Sequence, residues 1–294
     1  MHGARLIKRG GGVEKRRLGS TGYELSIVGF GGILAMNETP AGAADLVAEA
    51  VARGVNYFDV APGYGDAEER LGPALEPYRD GVFLACKTAA RTRDEATAEL
   101  RRSLRRLRTD RLDLYQHHGV TTMEEAEAIM GPGGAMEAFL AAREEGLVRL
   151  LGFSAHSEEA AMALMEAFPF DTILFPVNWA CWRTGFGPRV IEAATEKGLG
   201  ILALKALARR AKTEGEATRW PKAWYVPVDS YEQAALALRF TLGKPVTAAV
   251  SPGHVELFRW ACEIAVDPRP LSAEEEEMLM ARAEPGLPIF QGGR

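Results

Sequence analysis

Eight short apolar runs recur along the chain, and the segments between them repeat near 3.6 residues. The runs are Ser26–Phe30, Val55–Phe58, Val82–Cys86, Leu112–Tyr115, Val148–Phe153, Thr172–Phe175, Ile201–Leu204 and Val246–Val250. They are nearly apolar throughout, without the alternation of a half-exposed strand, as expected of parallel strands covered on both faces. Between them, Leu46, Ala50 and Val51 in the first segment, and Leu236 and Phe240 in the seventh, share one helical face. Right-handed strand-helix-strand crossovers repeated eight times close on themselves at a size of ~250 residues. The chain has 294 residues. The pattern therefore predicts an α/β fold, a (β/α)8 TIM barrel forming a single domain over residues 1–294. An N-terminal β-hairpin, Lys15–Leu18 and Leu25–Ile27 around Gly19-Ser20-Thr21-Gly22, precedes the barrel, and a C-terminal helical extension follows it.

Three helix starts, Thr92 with Glu95, Ser230 with Gln233 and Ser272 with Glu275, have the spacing of a capping box. Gly131-Pro132-Gly133-Gly134 reads as a kink or small insertion in the fourth helical region, not as a linker. The stretch Ala208–Asp229 is long, charged and aromatic, with Trp220, Trp224 and Tyr225 but no helical period, and reads as an ordered functional loop.

Composition narrows the function. With 47% hydrophobic and 26% charged residues and a net charge of −5, the chain reads as a globular protein with no global footprint for nucleic acid. The segment 101–111 holds six arginines, but Leu100, Leu104 and Leu107 give it an apolar face, so the arginines are expected to be solvated and paired with carboxylates. No apolar stretch approaches the ~18 residues of a membrane span. The N-terminus is basic without an apolar core, so no secretory signal is read. Three scattered cysteines, Cys86, Cys181 and Cys262, argue for reduced thiols and a cytoplasmic setting.

In a closed parallel barrel the strands' C-terminal ends converge on one face, where active sites sit. The second run leaves Asp59 there and, across a Pro62-Gly63 turn, Tyr64; the third leaves Lys87; the fourth leaves His117 and His118. The fifth leaves Ser154 and His156, and the sixth leads to Asn178. An acid, a phenol, an amine and an imidazole form a proton-donating centre. A lysine ammonium beside the phenol favours phenolate and lowers the tyrosine pKa from its free value of ~10. Asp59 holds that lysine charged, and the imidazole fixes a substrate oxygen as negative charge develops on it. Three histidines also raise a metal site, but no carboxylate falls at metal-ligand spacing. The stretch GFGGIL, residues 29–34, has Leu34 where a dinucleotide glycine loop needs a small residue, which disfavours that loop.

The stretches VNYFDVAPGYGDAEERLGPAL, FLACKT and DLYQHHGV resemble aldo-keto reductase signatures, and the likeness runs in order from about Arg17 to Arg259. The resemblance implies a catalytic tetrad of Asp59, Tyr64, Lys87 and a histidine. The family pattern D-L-Y-x-x-H selects His118 over His117, as does the alternation of strand side chains. It also implies NADP, as NADPH, extended across the barrel mouth, with NAD possible, and hydride transfer to a small-molecule carbonyl substrate while Tyr64 protonates its oxygen. Cofactor contacts carry over to Ser154, Asn178, Lys205, Gly253, His254 and Arg259. Ala155, Leu174 and Leu204 stand where the family has asparagine, glutamine and a stacking aromatic, and Gly253 and His254 where many members have lysine and serine; Arg259 keeps the phosphate-binding register. Trp179, Trp182 and Trp224 are candidate substrate walls. The alternative is an NADP(H)-binding redox sensor or regulatory protein on the same barrel with little turnover. Neither a nucleic-acid nor a membrane partner is expected, and the oligomeric state is not readable.

Overall fold

The computed structural model describes residues 12–282 and 288–291. Strands β1 (Lys15–Arg17) and β2 (Glu24–Ser26) form the antiparallel hairpin. The barrel strands are β3 (Val28–Gly31), β4 (Tyr57–Asp59), β5 (Phe83–Thr88), β6 (Leu112–Val120), β7 (Val148–Ala155), β8 (Thr172–Pro176) and β9 (Gly200–Leu204). After β10 (Ala208–Ala211) and β11 (Tyr225–Pro227), β12 (Ala248–Val250) pairs with both β9 and β3 and closes the circle. All eight barrel pairings are parallel. One helix or more fills each crossover, and the C-terminal helix Ala273–Ala281 follows the barrel.

Period-2 alternation divides the barrel into an inside and an outside. Leu114 faces the interior and belongs to a cluster with Tyr57, Phe83, Ala85, Leu174, Leu202 and Ala248. Its neighbour Tyr115 faces outward into the larger core shared with the helices. Leu18 and Leu25 of the hairpin are fully buried in the interior cluster, so they stopper the N-terminal end of the barrel. Gly19 makes this docking possible: its φ is +49°, and a Cβ there would lie 2.4 Å from the Gly200 nitrogen.

Several local expectations change. The stretch 208–229 is more regular than a loop: β10 and β11 pair antiparallel within it, with an irregularity between Ala208 and Arg210. Of the three capping boxes only Ser272–Glu275 is complete. Ser230 Oγ accepts from the Gln233 amide, but Thr92 caps nothing and donates instead to Glu95 Oε2 at 2.8 Å. The Gly131–Gly134 turn separates two helices, Met123–Met130 and Ala135–Glu144. The arginine-rich helix Arg93–Arg106 and the turn after it pair with carboxylates, among them Arg101–Glu145, Arg106–Glu68, Arg108–Glu76 and Arg111–Asp80. Among the described residues no helix is long and apolar enough to cross a membrane.

Leu25→Ala removes part of the stopper where little can collapse to refill it, and is expected to cost about 2–5 kcal/mol. Urea unfolding at neutral pH measures it; a loss under ~1 kcal/mol would mean the hairpin is not part of the cooperative unit.

Candidate active site

Asp59 ends β4, and the chain turns at once: the Tyr64 amide donates to the Ala61 carbonyl at 3.1 Å and the Ala67 amide to the Tyr64 carbonyl at 3.0 Å. This turn brings the Tyr64 ring back over the barrel mouth. Lys87, near the end of β5, reaches Asp59 Oδ1 and also donates to the Val60 carbonyl at 3.3 Å. Both members of the ion pair are almost completely buried. Asp59 Oδ2 accepts two further bonds, from the Tyr57 hydroxyl at 3.2 Å and from Gln116 Nε2 at 3.2 Å. Neither donor was singled out from the sequence. The signal was available, since Tyr57 lies two residues before Asp59 and Gln116 two before His118, on the same strand face.

Lys87 Nζ sits 5.3 Å from the centre of the Tyr64 ring, and the Tyr64 and His118 rings meet edge-to-face at 5.8 Å. The histidine choice follows alternation. His118 lines the cavity, whereas His117 points outward and stacks on Phe139 with ring centres 3.8 Å apart.

The electrostatics correct one expectation. Burial pushes the Tyr64 phenol up; the Lys87 charge opposes this without cancelling it, so the pKa lies above its ordinary value and not below it. Burial disfavours the Lys87 ammonium, but Asp59, aided by Tyr64, offsets the penalty, and its pKa lies above the usual lysine value. Burial and the nearby charges of Lys87, Lys205 and Arg91 take His118 down to about 3, leaving a neutral imidazole at ordinary pH. Burial also raises Tyr57 well above its ordinary value, keeping it a donor to Asp59.

These groups open on a cavity of about 460 Å³ that crosses the barrel mouth from Asp59, Tyr64, Lys87 and His118 to Ser251, Pro252 and Gly253. Of the residues expected to hold a cofactor, Ser154, Lys205 and Gly253 line it. Asn178, His254 and Arg259 are engaged elsewhere. Asn178 Oδ1 accepts from the Cys181 amide at 2.9 Å, capping the short helix Trp179–Trp182. His254 Nε2 accepts from the Lys222 amide at 3.0 Å. Arg259 makes a two-pronged ion pair with Glu49, with Nη2–Oε2 at 2.8 Å and Nε–Oε1 at 2.9 Å. Trp224 is a cavity wall; Trp179 and Trp182 are not, and Trp182 packs edge-on against Phe240.

The donors that remain suit an extended ligand carrying an amide and phosphates. Ser154 Oγ accepts from the Gly119 amide at 2.7 Å and Ser251 Oγ from the Gly31 amide at 3.1 Å, so each hydroxyl keeps its own proton to donate. The helix Val255–Ile264 starts beside Gly253 with no side chain capping its first amides, a site suited to an anion.

Comparison with known proteins bears on the family and the fold. The sequence model described as the aldo/keto reductase family matches residues 28–223, two thirds of the chain. The chain belongs to the aldo/keto reductase family. It is 31% identical over 189 residues to the aldo-keto reductase YhdN of Bacillus subtilis, covering 56% of this chain and 54% of that protein. It is 31% identical over 156 residues to the Bacillus subtilis oxidoreductase YqkF, covering 48% and 49%. The match thus spans about half the length of these curated relatives. Among solved structures, the holo form of the aldo-keto reductase AKR11C1 from Bacillus halodurans superposes with a TM-score of 0.72 at 25% identity, covering 94% of this chain and 98% of that one.

A Cβ on Gly253 would lie 2.2 Å from Ile33 Cγ2, so the segment after β12 runs close against the 3-10 turn Gly32–Ala35. Leu174 and Leu204 both line the cavity and give its wall an apolar face.

The raised pKa of Lys87 has a stability consequence. A folded pKa above the unfolded value of ~10.4 contributes stability that is complete below that value and lost as pH climbs through the folded pKa. Above about pH 10.4 the urea midpoint of the parent is expected to fall more steeply with pH than that of Lys87→Met; parallel curves would show that the pair is not coupled to folding.

Proposed function

We propose that this chain reduces an aldehyde or ketone to the alcohol, reversibly, with NADPH as hydride donor. One observation carries the reading: a protonated phenol stands against a buried Lys87–Asp59 pair, beside a neutral imidazole, in one cavity at the barrel mouth.

A nicotinamide cofactor bound along the cavity supplies the hydride. The residues of the chain supply the rest. Tyr64 and His118 face the same space, so a carbonyl oxygen between them accepts from the phenol and from an imidazole N–H. The raised phenol pKa holds the proton on Tyr64 in the resting site. As negative charge grows on the carbonyl oxygen, that oxygen becomes far more basic than a phenolate, and the proton moves to it. Lys87 then stabilises the phenolate left behind, and Asp59, fixed by Tyr57 and Gln116, keeps the ammonium in place. A neutral His118 directs the oxygen without adding a second cation beside Lys87.

The choice of NADPH rests on Arg259. Its pair with Glu49 is half-exposed, and such surface pairs are worth about 0–1 kcal/mol, so a doubly charged 2'-phosphate can compete for the guanidinium. The apolar wall of Leu174 and Leu204 favours a second reading, an NADP(H)-binding redox sensor on the same barrel with slow turnover, because the nicotinamide amide is then less firmly held.

Tyr64→Phe is expected to lower carbonyl reduction by about 10²–10⁴-fold, with the NADPH Kd from fluorescence titration nearly unchanged. Equal rates for parent and variant across an aldehyde panel would remove Tyr64 as the acid, while tight NADPH binding with no turnover in the parent would favour the sensor. Arg259→Ala is expected to raise the KM for NADPH about tenfold and leave that for NADH within about twofold. A parent that uses NADH as well as NADPH would overturn the NADP preference.

A further inference from the structure

The cavity holds a second lysine that the proton-transfer chemistry does not use. Lys205 follows β9 with φ +62°, an uncommon backbone conformation for a side chain of this type, and only 8% of its surface is exposed. Its Nζ lies 3.1 Å from His156 Nε2, 4.7 Å from the centre of the Trp224 ring and 5.0 Å from that of Phe290. Burial, with the Lys205 charge adding to it, takes His156 down to about 3, so the imidazole is neutral and Nε2 accepts from the ammonium.

No carboxylate pairs with Lys205 among the described residues. The other lysines that line the cavity are matched, Lys87 by Asp59 and Lys222 by Glu38 at 3.1 Å. Lys205 is therefore the charge that the protein leaves unbalanced in the cavity. The two aromatic faces attract an ammonium but accept no strong hydrogen bond, so two of its three donors have no acceptor among the described residues. Burial takes the unpartnered ammonium down to about 7, and an anion seated beside it restores the charged form.

We propose that Lys205, positioned by His156, is a specificity site for a carboxylate on the carbonyl substrate, so that the preferred substrates are aldehydes or ketones bearing a carboxylate group. The inference rests on the carbonyl-reductase reading above and adds the substrate class to it. The site has the features that an anionic substituent needs: a desolvated cation, free donors and a flat aromatic wall from Trp224 on which an aryl or short planar acid can lie. It belongs to the same cavity as the proton donor, and the Lys205 charge reaches His118. An acid held at Lys205 thus places its carbonyl in reach of Tyr64 and His118 when a short spacer separates the two groups. A cofactor phosphate offers the same anionic chemistry, and the experiment separates the two sources.

The test compares 4-carboxybenzaldehyde with its neutral methyl ester in the parent and in Lys205→Asn, a residue that tolerates positive φ. The parent is expected to favour the acid by about tenfold or more in kcat/KM, and the variant to bring the ratio near one. His156→Gln, which removes the imidazole at a different backbone position, is expected to give a smaller drop in the ratio and serves if Lys205→Asn does not fold. A parent without preference for the acid, or a preference that survives in Lys205→Asn, overturns the proposal. So does an NADPH Kd that rises tenfold in the variant while the preference persists, which assigns Lys205 to a cofactor phosphate. If the parent reduces no aldehyde, the reductase reading fails separately, and calorimetry with benzoate and benzamide still decides the site. Benzoate binding that is lost in Lys205→Asn supports it, and equal affinity for the two ligands, or none for benzoate, overturns it.

Discussion

The Lys87–Asp59 ion pair organises the catalytic end of this barrel. Two opposite charges almost wholly removed from water are tolerated only when geometry and hydrogen bonding offset the desolvation of both. Here β4 and β5 are adjacent, the side chains leave their strand ends toward each other, and Tyr57 and Gln116 occupy the second carboxylate oxygen. Every other feature of the site is arranged about that fixed charge. Tyr64 turns back over the ammonium, His118 stays neutral partly because Lys87 is there, and the cavity opens where the pair ends.

The same pair explains why the phenol is weakly acidic at rest yet suited to its role. Burial raises Tyr64 and Lys87 lowers it, and the first effect is larger. A group whose proton is secure until charge appears on the neighbouring oxygen does not need a low resting pKa; it needs a stabilised product of proton loss. The ammonium provides that.

Much of the architecture was legible because the signal is local. A strand buried on both faces can hardly be anything but apolar, so the eight runs stood out, and boundaries erred only by a few residues, as at β6, which continues to Val120 beyond the expected Tyr115. Period 2 distinguished His118 from His117 and would have found Gln116 and Tyr57 as well. What stayed hidden depends on competition between partners distant in sequence. His254 accepts from the Lys222 amide and Arg259 pairs with Glu49 across 210 positions of chain, and no spacing rule reveals either partner. The sign of the Tyr64 shift was hidden for a related reason: the charge beside it could be read from the motif, but the depth of protein around it could not. The β10–β11 hairpin escaped because its strands are short and partly charged, and their pairing depends on where the barrel rim carries them.

The leucine stopper at the base has a consequence for how such a molecule can change. With Leu18 and Leu25 closing one end over a packed interior, a ligand of the catalytic cavity enters and leaves at the opposite mouth. Cohesion is concentrated at the closed end and chemistry at the open one. Substitutions around the upper rim can thus explore new ligands while the foundation that keeps the strands in register is left untouched.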